Sequence, residues 1–257
     1  MKQKCFLLIL ALFCSSTLIT SRVVANEEFL IQPVSDSGKL IVFAGISGSG
    51  KSTTAKALAA LCNSPCYLEP EEHEWPDFIR VKQPYGEFSS FIVARAIRVN
   101  ALWLAWQEKM QGNLVFMDSY YDKITGYYLD KPGMEWLISP NDPYFDCAWQ
   151  VTQLDIELLP DADCIVLFEI GFDDWITMLD SRGRVRDNID GFRANYIRYK
   201  AYIADAVEQV CQDRNIPFVR FHQKLSNPYT QAQALKSILI EQNIIPEDEV
   251  IRSDWQY

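Results

Sequence analysis

Five short apolar runs punctuate the chain, at 40–44, 66–68, 113–117, 163–170 and 217–221. Each is near-continuous rather than alternating, which is the pattern of strands covered on both faces. Stretches with helix formers and few breakers lie between and after them: 53–61, 88–110, 143–159 (halted by Pro160), 172–179 running on into Arg182, 191–214 and 230–240. The second of these is apolar nearly all round and still carries Arg95 and Arg98, so it predicts a long central helix whose cations need partners. Strands separated by helices predict a parallel sheet with helices on both faces. In such sheets ligands bind beyond the carboxyl ends of the strands. Residues 26–38 read as a polar lead-in, 39–245 as the folded domain, and 246–257 as an acidic surface tail.

Between the first strand and the first helix stands Gly45-Ile46-Ser47-Gly48-Ser49-Gly50-Lys51-Ser52, which fits G-x-x-x-x-G-K-[ST] at every fixed position. Strand, glycine-rich loop, helix is the context that gives this motif its meaning. Glycines let backbone N–H groups converge on an anion, and the helix N-terminus adds partial positive charge. The loop predicts a triphosphate site built from Gly45, Ser47, Gly48, Ser49, Gly50, Lys51, Ser52 and Thr53. Lys51 is placed to reach the β/γ-phosphates, and the Ser52 hydroxyl to reach Mg²⁺.

Composition narrows the partners. The chain has 257 residues, 49 % of them hydrophobic, and a formal net charge of -10. So acidic a chain is not expected to coat nucleic acid. With only two histidines, His73 and His222, a histidine-based metal centre is not expected. Residues 1–25 read as a signal peptide: Lys2 and Lys4 precede an apolar segment from Cys5 to Phe13, and Val23-Val24-Ala25 fits a small-residue cleavage site. That leader predicts export to a periplasm or beyond, with no stable membrane anchoring after cleavage; a non-functional leader predicts a cytoplasmic protein. Cleavage leaves Cys62, Cys66, Cys147, Cys164 and Cys211, an odd set without the spacing of a disulfide framework.

Phosphoryl transfer needs a phosphate cradle, a metal, a group to take the acceptor's proton, and cations over the transferred group. Asp118 closes the third apolar run, where a metal-holding carboxylate sits. Glu69 follows the second and is placed to accept the proton of a substrate hydroxyl. Arg182, Arg184 and Arg186 fall at alternate positions in "LDSRGRVRD", which suits a lid closing over phosphate.

Three stretches, "GISGSGKST", "YLEPEEHEW" and "SRGRVRD", resemble the deoxynucleoside kinases, within the broader group that includes the thymidylate kinases. The resemblance spans residues 40–221. It implies a three-layer α/β/α fold with a five-stranded parallel sheet of the P-loop NTPase type. It also implies transfer of the γ-phosphate of ATP or GTP, with Mg²⁺, to the 5′-hydroxyl of a nucleoside. Glu69 matches the family's base, Arg182 and Arg184 its lid arginines, and Asp118 a metal ligand. Asp187 falls where a carboxylate contacts the sugar 3′-hydroxyl. Arg95 or Arg98 matches a base-side arginine, Asp122 is the candidate partner of those arginines, and Trp75, Tyr85 and Phe88 are candidates for a stacking wall. Members are often dimeric, so a homodimer is among the assemblies the resemblance allows. The chain departs from the family at Asp118-Ser119-Tyr120-Tyr121-Asp122, where no arginine follows the carboxylate. The departure leaves room for a thymidylate-type monophosphate kinase, for another hydroxyl acceptor, and for an exported nucleotide-binding protein without kinase activity.

Overall fold

Strand β1 (Lys39–Ala44) is buried at every position but its first, and everything else in the fold is arranged about it. In the computed structural model, which describes residues 38–71, 73–76, 86–184 and 192–247, β1 pairs in parallel with β3 (Leu114–Asp118) on one side and β4 (Cys164–Glu169) on the other. Strand β2 (Cys66–Tyr67) extends the sheet beyond β3, and β5 (Phe218–His222) extends it beyond β4. The order is β2-β3-β1-β4-β5, five strands, all parallel.

Alternate residues of the strands feed two cores. Leu40, Val42, Ala44, Val115, Met117, Ile165 and Leu167 face one side. There they meet Leu102 and Ala105 of α2 (Glu87–Met110), Trp175 of α5 (Phe172–Arg182) and the Ile203–Val210 face of α6 (Tyr196–Arg214). Ile41, Phe43, Phe116, Val166 and Phe168 face the other side, against Ala55, Leu58 and Ala59 of α1 (Lys51–Cys62) and Ala232, Leu235 and Leu239 of α7 (Pro228–Glu241). Two apolar faces on one sheet require two helical layers, and the result is the α/β/α sandwich the pattern predicts.

The remaining helices are α3 (Tyr121–Thr125), packed against α4 (Phe145–Leu158). The short α3 has no counterpart in the sequence reading. The stretch 191–214 also differs: 192–195 form a turn and the helix begins at Tyr196, with Asn195 as its cap. Helix α4 starts at Phe145 rather than 143, because Asp142 and Tyr144 make a turn in which the Tyr144 N–H bonds the Asp142 carboxylate at 2.9 Å. The expected leader (1–25), most of the lead-in and most of the acidic tail lie outside the described residues.

Candidate active site

The sheet order sets β2, β3 and β1 side by side, so their carboxyl ends form one edge. The register aligns Phe43 with Asp118 and Tyr67 with Met117. That edge therefore carries the loop after β1, Asp118 at the end of β3, and Glu69 two positions past β2.

Backbone conformation shapes the loop. Gly48 and Gly50 take φ of 82° and 85°, values that L side chains rarely adopt. A Cβ on Gly48 would stand 2.5 Å from Leu179 Cδ2, so helix α5 packs directly on the loop. The N-terminus of α1 carries neither a side-chain cap nor an acidic residue in its first turn, which leaves the first-turn amides to an external anion.

Lys51 is 6 % exposed. Its ammonium donates to Ile46 O at 3.1 Å and lies 3.2 Å from the Tyr121 hydroxyl and 4.0 Å from Asp118 Oδ1. The Tyr121 hydroxyl in turn donates to Gly45 O at 2.9 Å, and Lys51 Nζ stands 5.5 Å from the centre of its ring. Burial, with Glu69 and Asp118 adding to it, holds the Tyr121 phenol well above its usual 10.0, so it enters as a neutral hydrogen-bonding group.

Asp118 is almost wholly enclosed, and the Ser52 hydroxyl donates to its Oδ2. Asp118 Oδ1 has no hydrogen-bond partner among the described residues, and neither do the buried hydroxyls of Ser119 and Ser49. A buried carboxylate oxygen without a donor, beside a serine hydroxyl at the loop's end, is the donor set that suits a hard cation such as Mg²⁺.

Glu69 keeps 30 % of its side-chain surface, and its Oε1 is 4.0 Å from Arg98 Nε. Burial pushes its carboxyl above the usual 4.5 and Asp118 pushes the same way, while Arg98 and Lys51 pull it back. The Ser119 hydroxyl also moderates the rise without reaching a hydrogen bond of ordinary length. A carboxyl raised in this way is a stronger base once ionised.

Arg98 donates from Nε and Nη2 to the two oxygens of Asp122, each at 2.8 Å. Arg95, one turn earlier, makes the same fork with Asp155 of α4. Asp122 is thus the partner of Arg98 only, and Asp155 is the partner that the sequence reading did not single out. Trp75 donates its indole N–H to Pro70 O at 2.9 Å, within the segment that carries Glu69. Phe88 packs against Tyr144, with ring centres 5.3 Å apart and the planes tilted by 30°.

The two described arginines of the expected lid take different partners. Arg182 ends α5 and donates to the Ser47 hydroxyl at 3.1 Å. Gly183 follows in the left-handed conformation, φ 62°, and caps the helix. Arg184 then turns to Glu71, two residues from Glu69, and pairs with it. Trp175 adds a second tie to the loop through its indole N–H on Ser47 O at 2.8 Å. Tyr85, Arg186 and Asp187 lie outside the described residues.

The fold has close counterparts among solved structures. A Mycoplasma mycoides deoxyadenosine kinase with bound dATP aligns over 78 % of this chain and 98 % of its own, with a TM-score of 0.56 and 17 % identity. A shikimate kinase from Acinetobacter baumannii, in complex with shikimate, aligns over 82 % and 97 %, with a TM-score of 0.52 and 10 % identity. The chain has the P-loop kinase fold. Candida albicans thymidylate kinase shares it at 18 % identity and a TM-score of 0.50, over 81 % of this chain and 93 % of that one. No protein-family model and no curated protein matches the chain. The P-loop kinase fold thus serves a nucleoside kinase, a nucleotide kinase and a kinase crystallised with a carbocyclic acid. The acceptor has to be read from the site itself.

Proposed function

We propose that the protein is an ATP- or GTP-dependent phosphotransferase that moves the γ-phosphoryl group to the 5′-hydroxyl of a nucleoside or deoxynucleoside. One observation carries the reading: the phosphate loop, Asp118 and Glu69 follow or end three neighbouring strands at one edge of the sheet, with Glu69 under the electrostatic influence of both Lys51 and Asp118. A nucleotide-binding module alone has no need of a carboxyl base at that place.

In the reaction, the acceptor oxygen forms a bond to the γ-phosphorus while its proton passes to Glu69. The bond from that phosphorus to the bridging oxygen breaks, and the nucleoside diphosphate leaves with the electron pair. Lys51 and the loop amides hold the β- and γ-phosphates in line. Arg182 and Arg184 exchange Ser47 and Glu71 for the phosphoryl oxygens as the lid closes, and Arg186 is assigned to the same lid. Asp118 and Ser52 would hold Mg²⁺, which supplies charge neutralisation on the phosphates. Trp75, Tyr85, Arg95, Asp122 and Asp187 are assigned to the acceptor side, Arg95 and Asp122 through the ion pairs that shape it.

A nucleoside monophosphate acceptor is the second reading, favoured by the fold shared with thymidylate kinase. The ion pairs of the long helix weigh toward the uncharged acceptor, since Arg98 and Arg95 each already face a carboxylate. The deciding experiment offers nucleosides and monophosphates separately with γ-labelled ATP, using Lys51→Ala as the control. Label appearing on a nucleoside and lost in Lys51→Ala is expected; label only on monophosphates replaces the first reading by the second. The signal-like residues 1–25 support export, and the mass of the mature N-terminus tests it.

A further inference from the structure

Glu69, Asp118 and Asp122 bring three carboxylates to one small region, and Lys51 and Arg98 bring two cations. Lys51 belongs to the phosphate loop, bound to Ile46 O and Tyr121. Among the described residues Arg98 is the other cation beside Glu69, its Nε 4.0 Å from Oε1. Its guanidinium cannot swing freely, because Asp122 grips it by both Nε and Nη2. Asp122 itself is 7 % exposed and held in α3.

The segment after β3 offers no cation in this place. Position 119 is a serine, and its hydroxyl is buried without a hydrogen-bond partner among the described residues. Among the described residues the ion pair to Glu69 comes from Arg98, 4.0 Å away, and without it the carboxyl would be free to turn away. Resting on the phosphotransferase reading above, we propose that Arg98, pinned by Asp122, is the positioning residue that keeps Glu69 aimed at the acceptor hydroxyl. The cation beside the base thus comes from helix α2, not from the strand end that carries the metal-side carboxylate. Arginine suits the task because its planar fork binds Asp122 in a fixed plane and still presents charge to Glu69.

The test separates positioning from simple charge pairing. Arg98→Gln strands Asp122, so the informative protein is Arg98→Gln with Asp122→Asn, which removes both charges of the buried pair. It is expected to melt near the wild-type temperature and to bind ATP as wild type does, while kcat with the nucleoside acceptor falls on the order of 100-fold. Asp122→Asn alone, which keeps the guanidinium beside Glu69, should lose less, and Arg98→Lys should recover part of kcat. A double variant that regains kcat together with its stability would make Arg98 merely the counter-ion of Asp122. Asp122→Asn losing as much as the double variant would assign the effect to Asp122 instead. Crystal structures of wild type and double variant decide the matter without any acceptor: Glu69 should leave its place when Arg98 is gone, and an unmoved Glu69 overturns the proposal. Wild type failing on every nucleoside would remove the assigned acceptor and leave this structural comparison intact.

Discussion

The Ser52 hydroxyl donates to Asp118, tying the phosphate loop to the end of β3. The other oxygen of Asp118 is buried, has no donor among the described residues, and lies 4.0 Å from Lys51. Asp118→Asn preserves the shape and removes the charge. It should lower Mg²⁺-dependent transfer by roughly 100-fold, corresponding to the several kcal/mol a metal supplies to charge neutralisation. Titrating Mg²⁺ against initial rate checks it: a variant with unchanged rate and unchanged metal requirement refutes the assignment.

Glu69→Gln should reduce kcat by about 10²–10⁴-fold, the range for a lost general base. Binding of ATP should hold, because Glu69 follows β2 and is not part of the phosphate loop. The wild-type rate has a direction in pH as well. The proposed base has to be ionised to act, and burial raises the Glu69 carboxyl above 4.5. The rate should therefore fall as pH drops through that raised value, and the acid limb should sit above 4.5 and vanish in the variant. A limb that persists in Glu69→Gln belongs to another group.

Arg182→Ala with Arg184→Ala should slow transfer on the order of 10³-fold, as expected for guanidinium groups that act on the transferring phosphoryl. ATP affinity should change far less. Pre-steady-state mixing distinguishes the two: equal losses in binding and transfer would show that these arginines serve nucleotide binding and not closure.

Gly48→Ala places a methyl 2.5 Å from Leu179 Cδ2 at φ of 82°. It should lower stability by about 1–3 kcal/mol, the cost of a strained backbone site, and weaken ATP binding with it. Calorimetry with and without ATP measures both. A variant as stable as wild type would mean that α5 yields without resistance.

Cys164 and Cys211 are buried, and burial pushes both thiols up to about 12. From a usual 9.0 that depletes the reactive thiolate roughly a thousandfold at neutral pH. Neither should react with a maleimide in the folded protein on the timescale that labels the denatured chain. Mass spectrometry of the labelled peptides reads this directly.

Much of this site is legible in the chain because it is local. A glycine-rich loop is contiguous, and both Glu69 and Asp118 sit immediately after apolar runs whose strand character is plain. What is not legible depends on pairing across distance. Arg95 and Arg98 lie in a helix apolar nearly all round, so its periodicity does not say which faces Glu69, and their partners Asp155 and Asp122 are 60 and 24 residues away. Tyr121 escapes notice for a different reason: α3 is a single short turn of helix with no amphipathic repeat, and its hydroxyl finds the loop 76 residues upstream. The divergence of Arg182 and Arg184 turns on one left-handed glycine between them, and the alternate spacing alone suggested a shared target.

Ser47 is held twice by the same helix, through the Trp175 indole on its carbonyl and the Arg182 guanidinium on its hydroxyl. A hinge movement of α5 must then drag the cradle with it. On the proposed lid reading, nucleotide capture and flap descent are linked through Ser47. Cutting both the indole and the guanidinium tether is expected to uncouple them, leaving a protein that grips ATP without shutting.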